Sequence, residues 1–365
     1  MSQADAGDED DEGEVGVGKS VVIGLDIGTT HVRAAELEFG SKDPASLRRY
    51  GEAPLPPGAV RDGEVNEPAL VSEALKRLWT QTKFASRDVV IGVGNQRVMV
   101  RDLDLPWLPP AQLKQALPFH VKELLPVNAD DALLDFLPTE EFAGPQGRML
   151  KGLLVAAQRD TVSANVLAVE GAGLRPTMVD LNAFALFRSL VKGEHTERTL
   201  AIVDVGARLT TVVVASEGVP RLARTILSGG ATFTDAVARA LSVSHPEAEQ
   251  IKREVGLLGH AEPGREAAVE AIAAVAQHLV DAIRNTFVYY AGNHPGSRLE
   301  HLVLTGGGAH LPGFGQYLSS ASRLPASLGD PFAAIRFSGS TKREQLVGHE
   351  ATAVLPVGLA QGVAA

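Results

Sequence analysis

The chain has 365 residues, 45% of them apolar but only 5% aromatic, which gives room for two or three domains with a mainly aliphatic core. Its formal charge of −10 excludes the basic footprint that nucleic acid demands. The absence of cysteine excludes disulfides and thiolate metal sites, and no stretch approaches the ~18 uninterrupted apolar residues of a membrane span.

Residues 1–18 hold seven Asp/Glu and no Lys or Arg, which leaves about −3 for the remainder. They read as a disordered acidic tail, either a regulatory arm or a solubilising extension. Without a basic segment leading into an apolar one, no secretory signal is expected, and the chain is expected to be cytoplasmic. Gly13–Ser20 match G-x-x-x-x-G-K-[ST] letter for letter. A P-loop, however, follows a buried strand and opens a helix that helps hold the phosphates. Here an acidic tail precedes the match and a strand follows it, so it reads as a chance match among carboxylates that would repel a triphosphate.

The fold is expected to start at Val21. A strand, a Gly-containing turn and a second strand run to Phe39, and residues 46–53 suggest a third strand. A Pro/Gly loop follows (Pro54–Gly63), then a helix over Glu67–Phe84 and a buried strand at Val89–Val93. The same β-β-β-α-β order returns with strands at Leu200–Val205, Thr210–Ser216 and Val219–Ile226, then helices, then a strand at His301–Leu304. The spacing therefore predicts a duplicated α/β architecture.

Between the halves, residues 97–172 read as a small inserted α/β subdomain. Its expected elements are strands at Val98–Leu103, Leu133–Leu137 and Leu150–Ala156 and helices at Ala111–Leu124 and Thr161–Gly171. Residues 236–292 are mainly helical, and Ile272, Val275, Leu279, Ile283 and Phe287 fall on one face, as a packed core helix requires. The expected division is a tail (1–18), a first half (19–96, resumed at 173–197) and the insert (97–172). The second half follows (198–235 and 300–348) with a helical subdomain (236–299), and a C-terminal helix (349–365) returns to the first half. The ten histidines form no ligand-spaced cluster.

Three turns carry candidate chemistry. In Leu25-Asp26-Ile27-Gly28-Thr29-Thr30, Gly28 permits a tight turn and consecutive amides make an anion-binding concavity. Thr29 and Thr30 add hydroxyls. Asp26 would repel a phosphate unless a cation lay between them, which points to Mg²⁺ held through water. Alone, the turn reads equally as an ordinary hairpin. Val203-Asp204-Val205-Gly206-Ala207-Arg208-Leu209-Thr210 repeats it 178 residues later, at the same place in the second half. Two matching turns suggest loops gripping a phosphate chain from opposite sides, with Asp26 and Asp204 facing the metal. The third turn, Leu304-Thr305-Gly306-Gly307-Gly308-Ala309, offers a surface without side chains for a flat purine or sugar. Pro312 then suits a helix start.

In this order the turns resemble the phosphate-1, phosphate-2 and adenosine motifs of the actin, Hsp70 and hexokinase superfamily, with its ribonuclease-H-like duplicated domains. The resemblance narrows to the PilM family of type IV pilus assembly proteins, related to the cell-division protein FtsA. It rests on Leu105-Pro106 with the following helix, Pro126 and Asp135 in the insert, Pro57-Gly58 leading to Asp62-Gly63-Glu64-Val65, and Ile283-Arg284 with Phe287 and Tyr290. It covers about residues 20–365.

The resemblance implies ATP bound between the halves with Mg²⁺. Asp26, Gly28, Thr29 and Thr30 would hold phosphate from one side and Asp204, Gly206 and Thr210 from the other. Glu249 and Lys252 would contact ribose and base, Gly229 and Gly230 lead into the helical subdomain, and Gly306, Gly307 and Gly308 would line the adenosine. Asp180, ahead of Leu181-Asn182-Ala183, reads as a helix N-cap or as a group orienting an attacking water.

The implied partner is a PilN-like inner-membrane protein, held through its cytoplasmic N-terminal peptide by the insert and neighbouring first-half surface, with no direct membrane insertion of this chain. Hydrolysis is expected to be slow at most. Leu105–Pro110, with Trp107, reads as a docking surface or a buried corner. A sugar-type kinase on the same superfold would use a polar patch such as Asn95-Gln96-Arg97. An FtsA-like filament protein would end in an amphipathic basic helix, whereas Ala351–Ala365 is small and apolar.

Overall fold

A computed structural model describes residues 20–40, 44–125, 128–145, 147–257, 264–339 and 341–363. The acidic tail, the P-loop-like match as far as Lys19, and Pro126 lie outside the described residues.

The first half opens with β1 (Ser20–Ile27), β2 (His31–Phe39) and β3 (Ser46–Pro54), antiparallel neighbours in sequence order. A short hairpin, β4 (Val60–Arg61) and β5 (Glu64–Val65), leads to α1 (Pro68–Thr82). Pro68 suits the first helical turn because its missing N–H would be unpaired there anyway. The helix buries Val71, Ala74, Leu75 and Leu78, the period-3.6 stripe, against the sheet. The apolar run of β6 (Asp88–Val93) is buried and pairs in parallel with β1.

The chain then leaves the first sheet. β7 (Val98–Pro106), α2 (Pro110–Val121), β8 (Ala132–Gly144) and β9 (Gly147–Gln158) build a three-stranded antiparallel sheet of order β7-β9-β8 with its own small core around Leu117, Val121 and Leu154. After it come α3 (Arg159–Gly171), β10 (Arg175–Leu181) and α4 (Asn182–Leu190). The structure differs here from the sequence reading, which gave α3 to the insert. Ala168 and Val169 of α3 lie in one cluster with α1, and Ser72 Oγ donates to Ala168 O at 2.7 Å. The separate unit therefore ends at Gln158.

The second half repeats the first. β11 (Leu200–Val205), β12 (Thr210–Ser216) and β13 (Val219–Ile226) are antiparallel. Helices α5 (Gly230–Leu241), α6 (His245–Val255) and α7 (Glu266–Asn293) precede β14 (His301–Thr305), which pairs in parallel with β11. Ile272, Leu279, Ile283 and Phe287 of α7 are buried as one stripe. α8 (Phe314–Ser322) and β15 (Ala326–Leu328) complete the sheet, of order β13-β12-β11-β14-β15. The first sheet has order β10-β6-β1-β2-β3-β16, where β16 (Arg336–Phe337) comes from far down the chain. In both sheets three antiparallel strands are followed by a parallel one beside the first strand.

The last helix, α9 (Glu350–Ala360), is apolar all round because it lies between the sheets. Ala353 and Val357 pack on Leu37 and Leu47 of the first sheet, while Val354 joins Leu186 of α4 and Ile202 of the second. Contact with β1 is direct: a Cβ on Gly24 would sit 2.0 Å from Pro356 O. The chain returns to the first half earlier than residue 349. Phe332, Ile335 and Leu346 already pack on Leu37 and Leu47, and β16 pairs with β3.

Candidate functional site

The two hairpin turns of the two halves face each other across one cleft. In the first, Gly28 N–H donates to His31 O at 3.0 Å; in the second, Gly206 N–H donates to Leu209 O at 2.8 Å. Parallel pairing of β14 with β11 brings the Gly306–Gly308 turn beside the second of these. Gly306 has φ +81°, and a Cβ there would lie 2.5 Å from Val205 O and 2.6 Å from Asp204 Oδ1. Only glycine fits. Gly307 faces open space.

Together these turns line a cavity of about 660 Å³. Asp26, Gly28, Thr29, Thr30, Asp204, Gly206, Gly230, Glu249, Lys252, Gly306, Gly307 and Gly308 all border it. A further space of about 390 Å³ runs on past Gly230, Glu249, Lys252 and Gly308 to Phe233, Leu311 and Pro312. The cleft thus has a polar end at the aspartates and a half-apolar end at α5 and α6, an arrangement that suits a ligand with an anionic tail and a flat apolar head.

Asp26 and Asp204 are both withdrawn from water. Burial pushes the Asp26 carboxyl up to about 6 against the pull of Arg33, whose Nη1 lies 3.8 Å from Asp26 Oδ2. Burial pushes Asp204 further, to about 7, and the neighbouring Asp26 charge adds to it. When ionised, these two carboxylates, which share one arginine, form an acceptor-only pair with charge left to neutralise. That donor chemistry fits a hard divalent cation such as Mg²⁺, taken through water.

At the other end, Lys252 is 9% exposed and donates to Gly230 O at 3.1 Å and to Glu249 Oε2 at 2.7 Å. Burial works to raise the Glu249 carboxyl, but hydrogen bonds from Lys252, Thr234 and Arg253 hold it below its ordinary range. The Glu249 carboxylate is therefore ionised, and both side chains are fixed in place before any ligand arrives.

Three of the sequence-derived residues stand apart. Thr210 is fully buried and donates to Ser228 O at 2.7 Å, so it anchors the turn from behind; Thr211, one residue on, lines the cavity. Gly229 packs against the second turn, where a Cβ would lie 2.5 Å from Gly206 O. Asp180 is paired with Arg188 of α4 and accepts Leu181 N–H at 2.8 Å. Burial raises its carboxyl against the pull of Arg188. It neither borders the cavity nor caps α4, whose N-cap is Leu181.

The structure adds residues that the sequence reading passed over. Arg33 borders the cavity beside Asp26 and also donates to Glu52 at 3.1 Å. Asn182 opens α4 over Gly92 and Gly94, where a Cβ would strike its side chain, and its buried Oδ1 has no partner. Hairpin spacing is the available signal for Arg33: Asp26 and Arg33 are register partners across β1 and β2.

The duplicated sheets, the helix pair between them and the cleft define an actin-like ATPase fold, a nucleotide-binding class that generally works with a divalent metal. Within that class the chain belongs to the family described as type IV pilus assembly protein PilM, which matches residues 24–362. A solved PilM-PilN type IV pilus biogenesis complex is 26% identical, with a TM-score of 0.80 over 93% of this chain and 97% of that one. The ethanolamine utilization protein EutJ from Carboxydothermus hydrogenoformans shares the fold (TM-score 0.55, 15% identity, 94% of this chain and 90% of that one). Cell division protein FtsA of Bacillus subtilis strain 168 is 20% identical over 64% of this chain. FtsA of Streptococcus pneumoniae serotype 2 strain D39 is 24% identical over 64%. The chain spans 58% and 55% of the lengths of these two relatives. Among the described residues no helix is long and apolar enough to cross a membrane.

Proposed function

We propose that this chain is an ATP-binding scaffold of the type IV pilus inner-membrane assembly complex, which holds the cytoplasmic N-terminal peptide of a PilN-like protein and adjusts that grip as its two halves close on the nucleotide. The observation that carries it is the convergence of two Asp-bearing turns, one from each half, with a glycine turn on one cavity. A ligand held there touches both halves and so favours their closed arrangement.

In this reading Asp26 and Asp204 would hold Mg²⁺ through water, and the metal would supply positive charge to neutralise the phosphates. Arg33 supplies a fixed cation at the same end, and the hydroxyls of Thr29, Thr30 and Thr211 donate to phosphate oxygens. Lys252 and Glu249 hold the sugar end, and the Gly306–Gly308 turn admits the flat base. Asp180 is engaged with Arg188 and stands outside the cavity, so it is not placed to orient an attacking water; hydrolysis is expected to be slow, with the nucleotide acting chiefly as a bridge. In the patch Asn95-Gln96-Arg97, which a sugar-type kinase would use for its acceptor, the charged member is taken up by internal contacts, since Arg97 bonds Glu64, Gln158 and Asp160.

The test is a calorimetric titration of the full chain with the cytoplasmic N-terminal peptide of the PilN-like protein from the same organism, with and without Mg–ATP. Saturable binding that differs between the two conditions is expected. No binding in either, with ATP bound, overturns the scaffold reading.

A further inference from the structure

The insert is joined to the first half at two points, where β6 passes into β7 and where β9 passes into α3. One side chain sits at both. Arg97 begins the outgoing connection, and its guanidinium bonds Gln158 at the end of β9 and Asp160 in the first turn of α3. Its backbone N–H is held by Oδ1 of Asn95, which is fully buried, at 2.9 Å. The third partner of Arg97 is Glu64, at 3.1 Å, in the β4–β5 hairpin.

That hairpin reaches the nucleotide cleft. Its tip is Asp62-Gly63, both with positive φ (49° and 80°). Gly63 borders the cavity and is wedged between the halves: a Cβ there would lie 2.5 Å from Leu209 Cδ1 of the second turn and 3.1 Å from Asn95 Cβ. Leu209 is the residue whose carbonyl closes that turn on Gly206. An unbroken series of contacts therefore runs from the phosphate turn of the second half through Gly63 and Glu64 to Arg97, which binds both connections of the insert. Beyond Arg97 the insert lies alongside the second half: Val98 and Val100 of β7 pack on the same apolar cluster as Ala223 of β13, next to a cavity of about 450 Å³ lined by Val98–Val100 and Ala223–Thr225.

We infer that Arg97 is a positioning residue that transmits closure of the nucleotide cleft to the insert. When the second half moves, Leu209 presses on the hairpin tip, and the Glu64–Arg97 pair carries the displacement to the two connections together. A guanidinium suits this task, since its planar fork holds several acceptors in fixed directions. The inference rests on the closure reading above and names its route.

The chain contains no cysteine, so paired labels attach only where cysteines are introduced. We would place spin labels at Gln81→Cys on α1 and Glu140→Cys on β8, both exposed positions, in the full chain, and measure their separation with and without Mg–ATP. The parent is expected to show a shift in the distance distribution on binding. Arg97→Ala and Glu64→Ala, neither of which borders the cavity, are expected to bind Mg–ATP as the parent does and to lose the shift. Gln158→Glu, which keeps an acceptor for Arg97, is expected to retain it. A full shift in both Arg97→Ala and Glu64→Ala with ATP bound overturns the relay. If the parent itself shows no shift with ATP bound, the closure reading fails first and the relay falls with it.

Discussion

The turn after β1 and the turn after β11 are closed by the same glycine N–H bond and carry an aspartate at the same place, yet their surroundings differ. Asp26 has Arg33 on the paired strand, 3.8 Å away. The arginine of the second turn, Arg208, is bonded instead to Asp235 of α5. For Asp204, burial and the Asp26 charge outweigh the more distant pull of Arg33, and its carboxyl rises to about 7 where that of Asp26 reaches about 6. Duplication has kept the backbone device, which needs only glycine and a short turn, while the charges around it have diverged. On the proposed reading, the half without its own cation would depend more on the metal.

The largest effect expected from breaking this pair is on Mg–ATP affinity. Asp26→Ala and Asp204→Ala should each weaken binding by about 100-fold, ~3 kcal/mol, with the fold retained, as calorimetry and circular dichroism would show. Wild-type affinity in both variants would remove the site. Next comes Arg33→Ala, which takes the cation from the first turn and should cost about tenfold, ~1.4 kcal/mol. It also makes the two turns alike, so the Asp26 and Asp204 variants should become equally metal-dependent in that background.

A smaller effect is expected from pH. Both carboxyls hold their proton in the folded chain above the value of 3.8 expected without burial. From about pH 4 to 7 the folded state therefore binds more protons than the unfolded one, and the nucleotide-free protein loses stability as pH rises through that window. Relative to Asp204→Asn, the wild-type melting temperature should fall between pH 5 and 8, and Mg–ATP binding, which takes the ionised forms, should tighten over the same rise. Smallest is Asp180→Ala. It leaves Arg188 without its carboxylate and should lower the melting temperature by roughly 5 °C. Its Mg–ATP affinity should stay unchanged.

The turns themselves were legible because they are local. An aspartate, a glycine two residues on and hydroxyls before the next apolar strand specify a hairpin whatever surrounds it, and their repetition disclosed the duplication. What depended on strand phase or long-range packing was not. Thr210 and Thr211 are adjacent and chemically identical, and only the pleat decides which one meets the cleft. Arg33 reads as one more polar residue of an alternating strand until its register with Asp26 is known. In Asp180-Leu181-Asn182 the charged residue drew the functional reading, while the helix start puts Asn182 over Gly94 and leaves Asp180 with Arg188. Likewise α3 follows the insert in sequence but is claimed by Ser72, 96 residues before its partner Ala168.

The most direct test of the account is a calorimetric titration of the full chain with ATP, in the presence of Mg²⁺ and again with the metal chelated. One nucleotide per chain, bound tightly with Mg²⁺ and much more weakly without it, is the expected result. No binding, or binding that ignores both the metal and the loss of Asp204, would contradict the claim that the two turns form one metal–nucleotide site.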